Sequence, residues 1–205
     1  MMAYGNYFTN LKTIFFNPLE DKKTFYNLYK DSLNKLNDGD KVVLCGRWDI
    51  MYRSYCIENN LRVDQISLQK YTDAVILDLN EQISLHPNLK FYIVGCSFVP
   101  NRTAVIWSKV NLNESYLKKI INTDLFKNTS DFEETYTTGI NTKLIEFCKS
   151  KNNVIFLDRN APLKGINSKY IIYRNNKGIF EDPLHYSSFG GSIIGEYIID
   201  EVSKE

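Results

Sequence analysis

The sequence predicts a single α/β domain, a three-layer α/β/α sandwich with a short, mainly parallel sheet. Three short apolar segments, KVVLC at 41–45, KFYIV at 90–94 and VIFL at 154–157, have the length of buried strands. Segments with apolar residues at helical spacing lie between them. Short strands that alternate with helices are typical of a parallel sheet covered on both faces. No internal repeat or linker rich in proline and glycine divides the chain, so residues 1–205 are expected to form one domain.

The predicted helices follow from the spacing of apolar residues and from the residues that end each segment. The first covers 21–36 and ends at the turn residues around Gly39. The second covers 65–81 and the third 131–150, so that a helix precedes each predicted strand. This order is the one that a parallel sheet requires, since its strands need crossover connections.

Two regions have weaker patterns. Residues 99–130 include an apolar run at 105–107 and a predicted helix near 114–121. After the third strand, 170–173 and 178–180 are predicted to form a β-ribbon. A terminal helix is predicted from about Ser187.

The composition excludes several classes of function. Lys and Arg number 25 against 24 Asp and Glu, a formal charge of +1, so nucleic acid is not an expected partner. No apolar run approaches the roughly 20 residues that span a bilayer. The first residues, MMAYGNYFTNLK, lack the features of a signal peptide. As written, the chain is therefore expected in the cytoplasm.

Histidines and cysteines are too few or too scattered to predict a metal site. His86 and His185 are the two histidines, and the four cysteines show neither C-x-x-C nor metal-ligand spacing. His86 precedes a proline and is expected at a helix end. Cys45 and Cys96 lie in apolar strand segments, so buried, reduced thiols are expected. No P-loop and no G-x-G-x-x-G follows a strand, which makes a nucleotide-binding domain a weak alternative and predicts no cofactor.

Ligands of open α/β sheets bind beyond the carboxyl ends of the strands. Segments placed there, or just before the terminal helix, are 46–49, 95–97, 158–160 and 182–185. Arg47 is expected either to bind an anionic group or to pair with Asp49. Trp48 is expected in the core more than on a sugar ring. Arg159 and Arg174 are expected to be surface charges.

The clearest local motif is EDPLHYSSFGG at 181–191. Asp182 and His185 stand three residues apart, so the carboxylate can accept the imidazole N–H, fix its tautomer and stabilise the imidazolium. Ser187 suits a helix N-cap, and the two glycines permit close packing of the helix that follows. Judged by this spacing alone, an Asp and a His that pair in a loop without a catalytic role are commoner than a catalytic dyad.

Residues 177–190 resemble the final sequence block of the SGNH hydrolase superfamily, above all the SGNH domains fused to membrane O-acyltransferases of the acyltransferase-3 type. In those domains a glycine turn leads to D-x-x-H-L-S-x-x-G, and Tyr186 here replaces the leucine. Residues 42–48 are similar to their V-V-L-A-x-R-W strand end, and 91–100 to the strand and proline-bearing loop that follow.

Asn141 and Asp158 also stand where the group tends to carry such residues, and the resemblance covers roughly residues 38–200. It implies an SGNH/flavodoxin-like fold and the hydrolysis or transfer of short acyl esters of carbohydrates or cell-envelope glycans, without a cofactor. His185 would be the base and Asp182 its orienting residue. The residues expected beside the acyl or oxyanion pocket are Gly46, Arg47, Trp48 and Gly95.

The resemblance also concerns partners and location. It implies association with a membrane acyltransferase domain or with a second copy of the chain. If the chain belongs to a larger membrane acyltransferase, an extracytoplasmic location follows.

The sequence departs from the family at the nucleophile. The family serine stands in a G-D-S motif after the first strand, and no such string occurs here. Relative to the family, the first strand, its turn and its helix are expected to be missing, so that residues 1–20 replace that strand or chains associate. Ser97 is the candidate substitute, although it lacks the second glycine of a nucleophile elbow. Cys96 would need His185 beside it. An inactive relative that binds a glycan or a protein partner is the alternative.

Overall fold

The computed structural model describes residues 31–100, 105, 131–165 and 170–204. Three predictions lie outside these residues, wholly or for the most part. They are the helix over 21–36, the elements between 101 and 130, and the replacement strand in 1–20. Residues 31–33 are helical, and Gly39 takes a φ of 85° in the turn that follows.

The sheet consists of three parallel strands in the described part of the chain. They are β1 (Lys41–Cys45), β2 (Lys90–Val94) and β3 (Val154–Leu157), hydrogen-bonded side by side in that order. All three predicted strand segments are confirmed to the residue. Because the strands are parallel, their carboxyl ends lie at one edge of the sheet, which we call the carboxyl edge.

Side chains of the strands alternate between two apolar layers, as the pleat of a β-strand requires. On one face, β2 presents Phe91 and Ile93 to a core shared with three helices. On the other face, Tyr92 and Val94 meet the terminal helix, where Ile198 packs against them. Helices therefore cover both faces, and the predicted α/β/α sandwich is confirmed.

Four helices surround the sheet in the described residues: α1 (Trp48–Glu58), α2 (Gln65–Leu85), α3 (Asp131–Lys149) and α4 (Ser188–Ser203). The pattern predicted α2, α3 and α4 but not α1. The α2 helix is capped by the Asp64 carboxylate, which accepts the Ser67 N–H at 2.8 Å, and it ends at His86, as expected.

The segment before α4 forms two short hairpins where one ribbon was predicted. In the first, β4 (Tyr173–Arg174) pairs with β5 (Lys177–Gly178); in the second, β6 (Phe180–Asp182) pairs with β7 (His185–Tyr186). The first predicted strand of the ribbon, 170–173, began three residues too early, and the second, 178–180, overlaps the end of β5 and the start of β6. The second hairpin brings the D-x-x-H motif to the start of α4.

Ser187 caps α4 as predicted. Its hydroxyl accepts the Gly190 N–H at 3.1 Å and donates to the Gly178 carbonyl at 2.6 Å. A further 2.9 Å bond runs from the Ser187 N–H to the Ile179 carbonyl. The cap therefore fastens the helix to the segment between the two hairpins.

Candidate active site

Two asparagines hold the end of β2 at the carboxyl edge. The side-chain oxygen of Asn141 accepts the Cys96 N–H at 2.6 Å, and the side-chain NH₂ of Asn160 donates to the Cys96 carbonyl at 3.0 Å. Asn160 also accepts the Phe98 N–H at 2.9 Å. Asn160 itself is buried, so these bonds satisfy polar groups that would otherwise be costly to bury.

Gly95 is required by packing at this point. A Cβ there would lie 2.5 Å from Cζ of Phe156 and 2.8 Å from the side-chain oxygen of Asn141. A glycine therefore lets the strand end approach α3 closely enough for the Asn141 hydrogen bonds. Its proposed place beside a substrate stays a prediction.

Arg47 joins the end of β1 to the D-x-x-H hairpin. Its guanidinium binds both carboxylate oxygens of Asp49, at 3.0 and 2.6 Å, and also donates to the Leu184 carbonyl. Burial of Asp49 favours its neutral form, but the hydrogen bonds and positive charge of Arg47 hold the pKa of that carboxyl below its usual range. Trp48 is buried and donates its indole N–H to the Val94 carbonyl at 2.8 Å. Arg47 therefore pairs with Asp49, which was one of its two expected roles. Trp48 lies in the core, as expected.

Arg47→Met is expected to lower the free energy of unfolding by about 3 kcal/mol at neutral pH, because it leaves a buried carboxylate without its partner. In the wild type, the pKa of Asp49 is lower in the folded state than in the unfolded state. The ionised carboxylate therefore stabilises the fold above about pH 4, and this contribution is lost as the pH falls through the folded-state pKa. Without Arg47, burial raises that pKa and the carboxyl takes up a proton. The difference in the free energy of unfolding between the wild type and Arg47→Met should therefore shrink on acidification.

Urea unfolding between neutral pH and pH 4 measures that gap. Lys164→Met is the matched control, because it removes the partner of a more exposed carboxylate, Asp158, at 2.9 Å. The exposed pair of Lys164 and Asp158 should contribute less than about 1 kcal/mol to the free energy of unfolding. A gap for Arg47→Met that stays constant with pH would contradict the role given to Asp49.

Asp182 and His185 make direct contact. Oδ2 of Asp182 lies 2.7 Å from Nδ1 of His185, and Oδ1 accepts the backbone N–H groups of Leu184 and His185 at 2.7 and 2.9 Å. Slight burial opposes ionisation of Asp182, but the bonds from His185 and Leu184 lower the pKa of its carboxyl. The carboxylate is thus ionised and fixed, and the imidazole is 62% exposed.

Ser97 lies against Tyr186. The two hydroxyl oxygens are 2.6 Å apart, and the serine also donates to the Phe98 carbonyl at 2.9 Å. Because successive residues of a strand point to opposite faces, Tyr186 is directed inward where His185 is exposed. The sequence analysis did not predict this contact, which joins residues 89 positions apart in the chain.

Cys96 is buried, and burial raises the pKa of its thiol to about 12. A thiol in such surroundings is protonated at neutral pH and is a poor nucleophile. Its burial agrees with the expected reduced, structural thiol.

Two expectations at the carboxyl edge were wrong. Arg159 is 5% exposed, where a surface charge was expected, because it reaches back across the strand ends to β1. Its Nη2 lies 3.2 Å from Sγ of Cys45 and 3.0 Å from the Gly46 carbonyl. Cys45 is exposed, where a buried thiol was expected, because it ends an outer strand of the described sheet.

Within the described residues, no group of three or more His, Cys, Asp or Glu side chains is placed to hold a metal ion. In the same part of the chain, no helix has the length and apolarity needed to cross a membrane. The carboxyl edge carries the pair of Asp182 and His185 and the guanidinium groups of Arg47 and Arg159.

Comparisons with known proteins add little to this geometry. No protein-family model matches the sequence, and no curated protein matches it. A solved structure from Streptococcus pneumonia, named provisionally as a platelet activating factor, has 14% identity and a TM-score of 0.48. The match covers 85% of this chain, and the chain spans 66% of that one. A likeness of this degree does not bear on activity.

Proposed function

We propose that this chain acts on short acyl esters of carbohydrates or cell-envelope glycans, as an ester hydrolase or O-acyltransferase with His185 as its base. The observation that carries the proposal is the 2.7 Å contact between Nδ1 of His185 and Oδ2 of Asp182 in an exposed hairpin. A carboxylate in this position keeps the proton on Nδ1, so Nε2 can accept one. The similarity of residues 177–190 to the SGNH block supports the substrate class.

In the proposed reaction, Nε2 of His185 takes the proton of an attacking hydroxyl while the oxygen of that hydroxyl bonds to the ester carbonyl carbon. Asp182 stabilises the imidazolium that forms. The imidazolium then returns the proton to the departing alkoxide as the carbon–oxygen bond breaks. With water as the attacking group the products are an acid and an alcohol. With a sugar hydroxyl the acyl group is transferred.

Two attacking groups are compatible with the proposal. A covalent route would use Ser97, and it requires the serine to exchange its 2.6 Å bond to Tyr186 for one to His185. Direct attack by water or by the acceptor hydroxyl needs no such rearrangement, because the His185 ring is exposed. We favour direct attack for that reason.

His185→Ala is expected to lower the rate of acetyl-ester hydrolysis by the purified protein at least about 100-fold, the contribution of a positioned general base. The folded state should be retained, because the side chain is 62% exposed. His86→Ala is the matched control, since it removes the other histidine, at the end of α2, and should leave the rate unchanged. Equal activity of His185→Ala and the wild type would overturn the proposal.

A second candidate is a catalytically inactive relative that binds a glycan or a protein partner. The position of Ser97 against Tyr186, with Cys96 buried, favours it. On this alternative, the wild type and His185→Ala are equally inactive, and calorimetry detects binding of an acetylated glycan to both. Turnover by the wild type alone would exclude it.

A further inference from the structure

Arg159 is a buried cation that forms no ion pair or hydrogen bond with a carboxylate in the described part of the chain, although the negative charge of Asp49 attracts it. Its guanidinium is almost wholly removed from solvent, and its Nε has no hydrogen-bond partner among the described residues. Buried charges in proteins are ordinarily paired or hydrogen-bonded, because an uncompensated ion is costly to desolvate. A buried guanidinium whose Nε has no partner at the carboxyl edge therefore needs an explanation.

The carboxylates of the carboxyl edge do not provide one. Asp49 is bound at both oxygens by Arg47, Asp158 pairs with Lys164 at 2.9 Å, and Asp182 contacts His185. Each of them already has a partner of its own. The two acceptors that Arg159 does have lie at the end of β1, and they are the sulfur of Cys45 and the Gly46 carbonyl.

We propose that Arg159 is the cationic element of an anion-binding site at the carboxyl edge, whose ligand is a carboxylate or phosphate group. The planar guanidinium matches such oxygens in shape and charge and can bind two of them at once. Cys45 marks the open side of the site, because it is exposed while its Sγ lies 3.2 Å from Nη2 of Arg159. The assignment of this anion to a substrate, an acyl ester that carries a negative group, rests on the proposed function; the binding of the anion does not.

Alkylation of Cys45 in the wild-type protein tests the site without any substitution. Iodoacetamide should modify Cys45 preferentially, since Cys56, Cys96 and Cys148 are buried. Inorganic phosphate, or acetate as the carboxylate probe, should slow that reaction at constant ionic strength set with chloride. The rate should fall hyperbolically with anion concentration, to about one tenth at ten times the Kd. Mass spectrometry of the labelled peptide gives the rate. A rate that neither anion changes would overturn the proposal and leave the thiol as the partner of Arg159.

Substitution gives a second test. Arg159→Gln should abolish the protection by phosphate, whereas Arg174→Gln, which changes a partly exposed arginine bound to the Pro162 carbonyl, should retain it. Equal protection in both variants would contradict the proposal. If Arg159→Gln does not fold, the wild-type measurement decides alone.

Failure of the proposed function is distinguishable from failure of this inference. His185→Ala removes the proposed base and leaves Arg159 in place, so phosphate should protect Cys45 in that variant as in the wild type. Protection without ester turnover would refute the esterase proposal and support the anion site. Ester turnover without protection of Cys45 would refute the anion site and support the esterase proposal.

Discussion

Gly190→Ala is expected to lower the free energy of unfolding by about 3 kcal/mol or more, the upper range for overpacking a close contact. A Cβ at this position would lie 2.0 Å from the carbonyl oxygen of Ile179 and 2.9 Å from its carbonyl carbon. Neither backbone can move away freely. The Ile179 carbonyl accepts the Ser187 N–H at 2.9 Å, and Ile179 is fully buried. Relief of the clash must therefore break the junction between α4 and Ile179, which lies between the two hairpins.

Urea denaturation of the purified variants measures this effect. Gly195→Ala is the matched control in the same helix, because a Cβ there meets no atom within 4 Å. That control should be more stable than the wild type by about 0.5–1 kcal/mol, the difference between alanine and glycine in a helix. Similar stabilities for the two variants would contradict the close approach of α4 to Ile179.

Asp182→Asn is expected to reduce kcat/KM for an acyl ester by about 10³–10⁴-fold while leaving the fold intact. The asparagine oxygen can still accept the N–H groups of Leu184 and His185, which Oδ1 of Asp182 accepts at 2.7 and 2.9 Å. Its NH₂ group, however, would face Nδ1 of His185 as a donor. The imidazole would then carry its proton on Nε2, which could no longer act as a base.

Steady-state kinetics with urea unfolding alongside separate this effect from a loss of structure. Asp158→Asn is the control, because Asp158 lies at the same edge but pairs with Lys164. It should keep nearly full activity. If Asp182→Asn were as active as Asp158→Asn, the carboxylate would not orient a base, and the hydrogen bond to His185 would be structural only.

The strands could be predicted to the residue because each contains an uninterrupted run of four apolar residues, which in β2 is buried on both faces. KFYIV, for example, sends Phe91 and Ile93 to one layer and Tyr92 and Val94 to the other. Such a run leaves few alternatives for its position in the chain. The cap at Ser187 was predictable for a similar reason, since a serine before a helix satisfies a backbone N–H within three residues.

The α1 helix could not be recognised in the same way. Its sequence, WDIMYRSYCIE, mixes apolar, aromatic and charged residues, and Ile57 is largely exposed where Tyr52 is fully buried. The side that turns inward is fixed by neighbours distant in the chain. Tyr71 of α2 binds the Trp48 carbonyl at 2.9 Å, and Tyr136 of α3 packs 5.7 Å from the Tyr52 ring. Periodicity within one segment does not contain that information.

The sequence by itself determined the α/β class, the three strands and the neighbourhood of Asp182 and His185, because apolar runs, helical spacing and a hydrogen bond over three residues are patterns within short segments. The tertiary structure alone decided the state of the arginines and thiols at the carboxyl edge. Arg159 is buried because strands far apart in sequence end side by side, so that its long side chain reaches from just after β3 across β2 to β1. Cys45 is exposed because it ends an outer strand of the described sheet. Burial and charge pairing are properties of that assembled edge, and no local pattern specifies them.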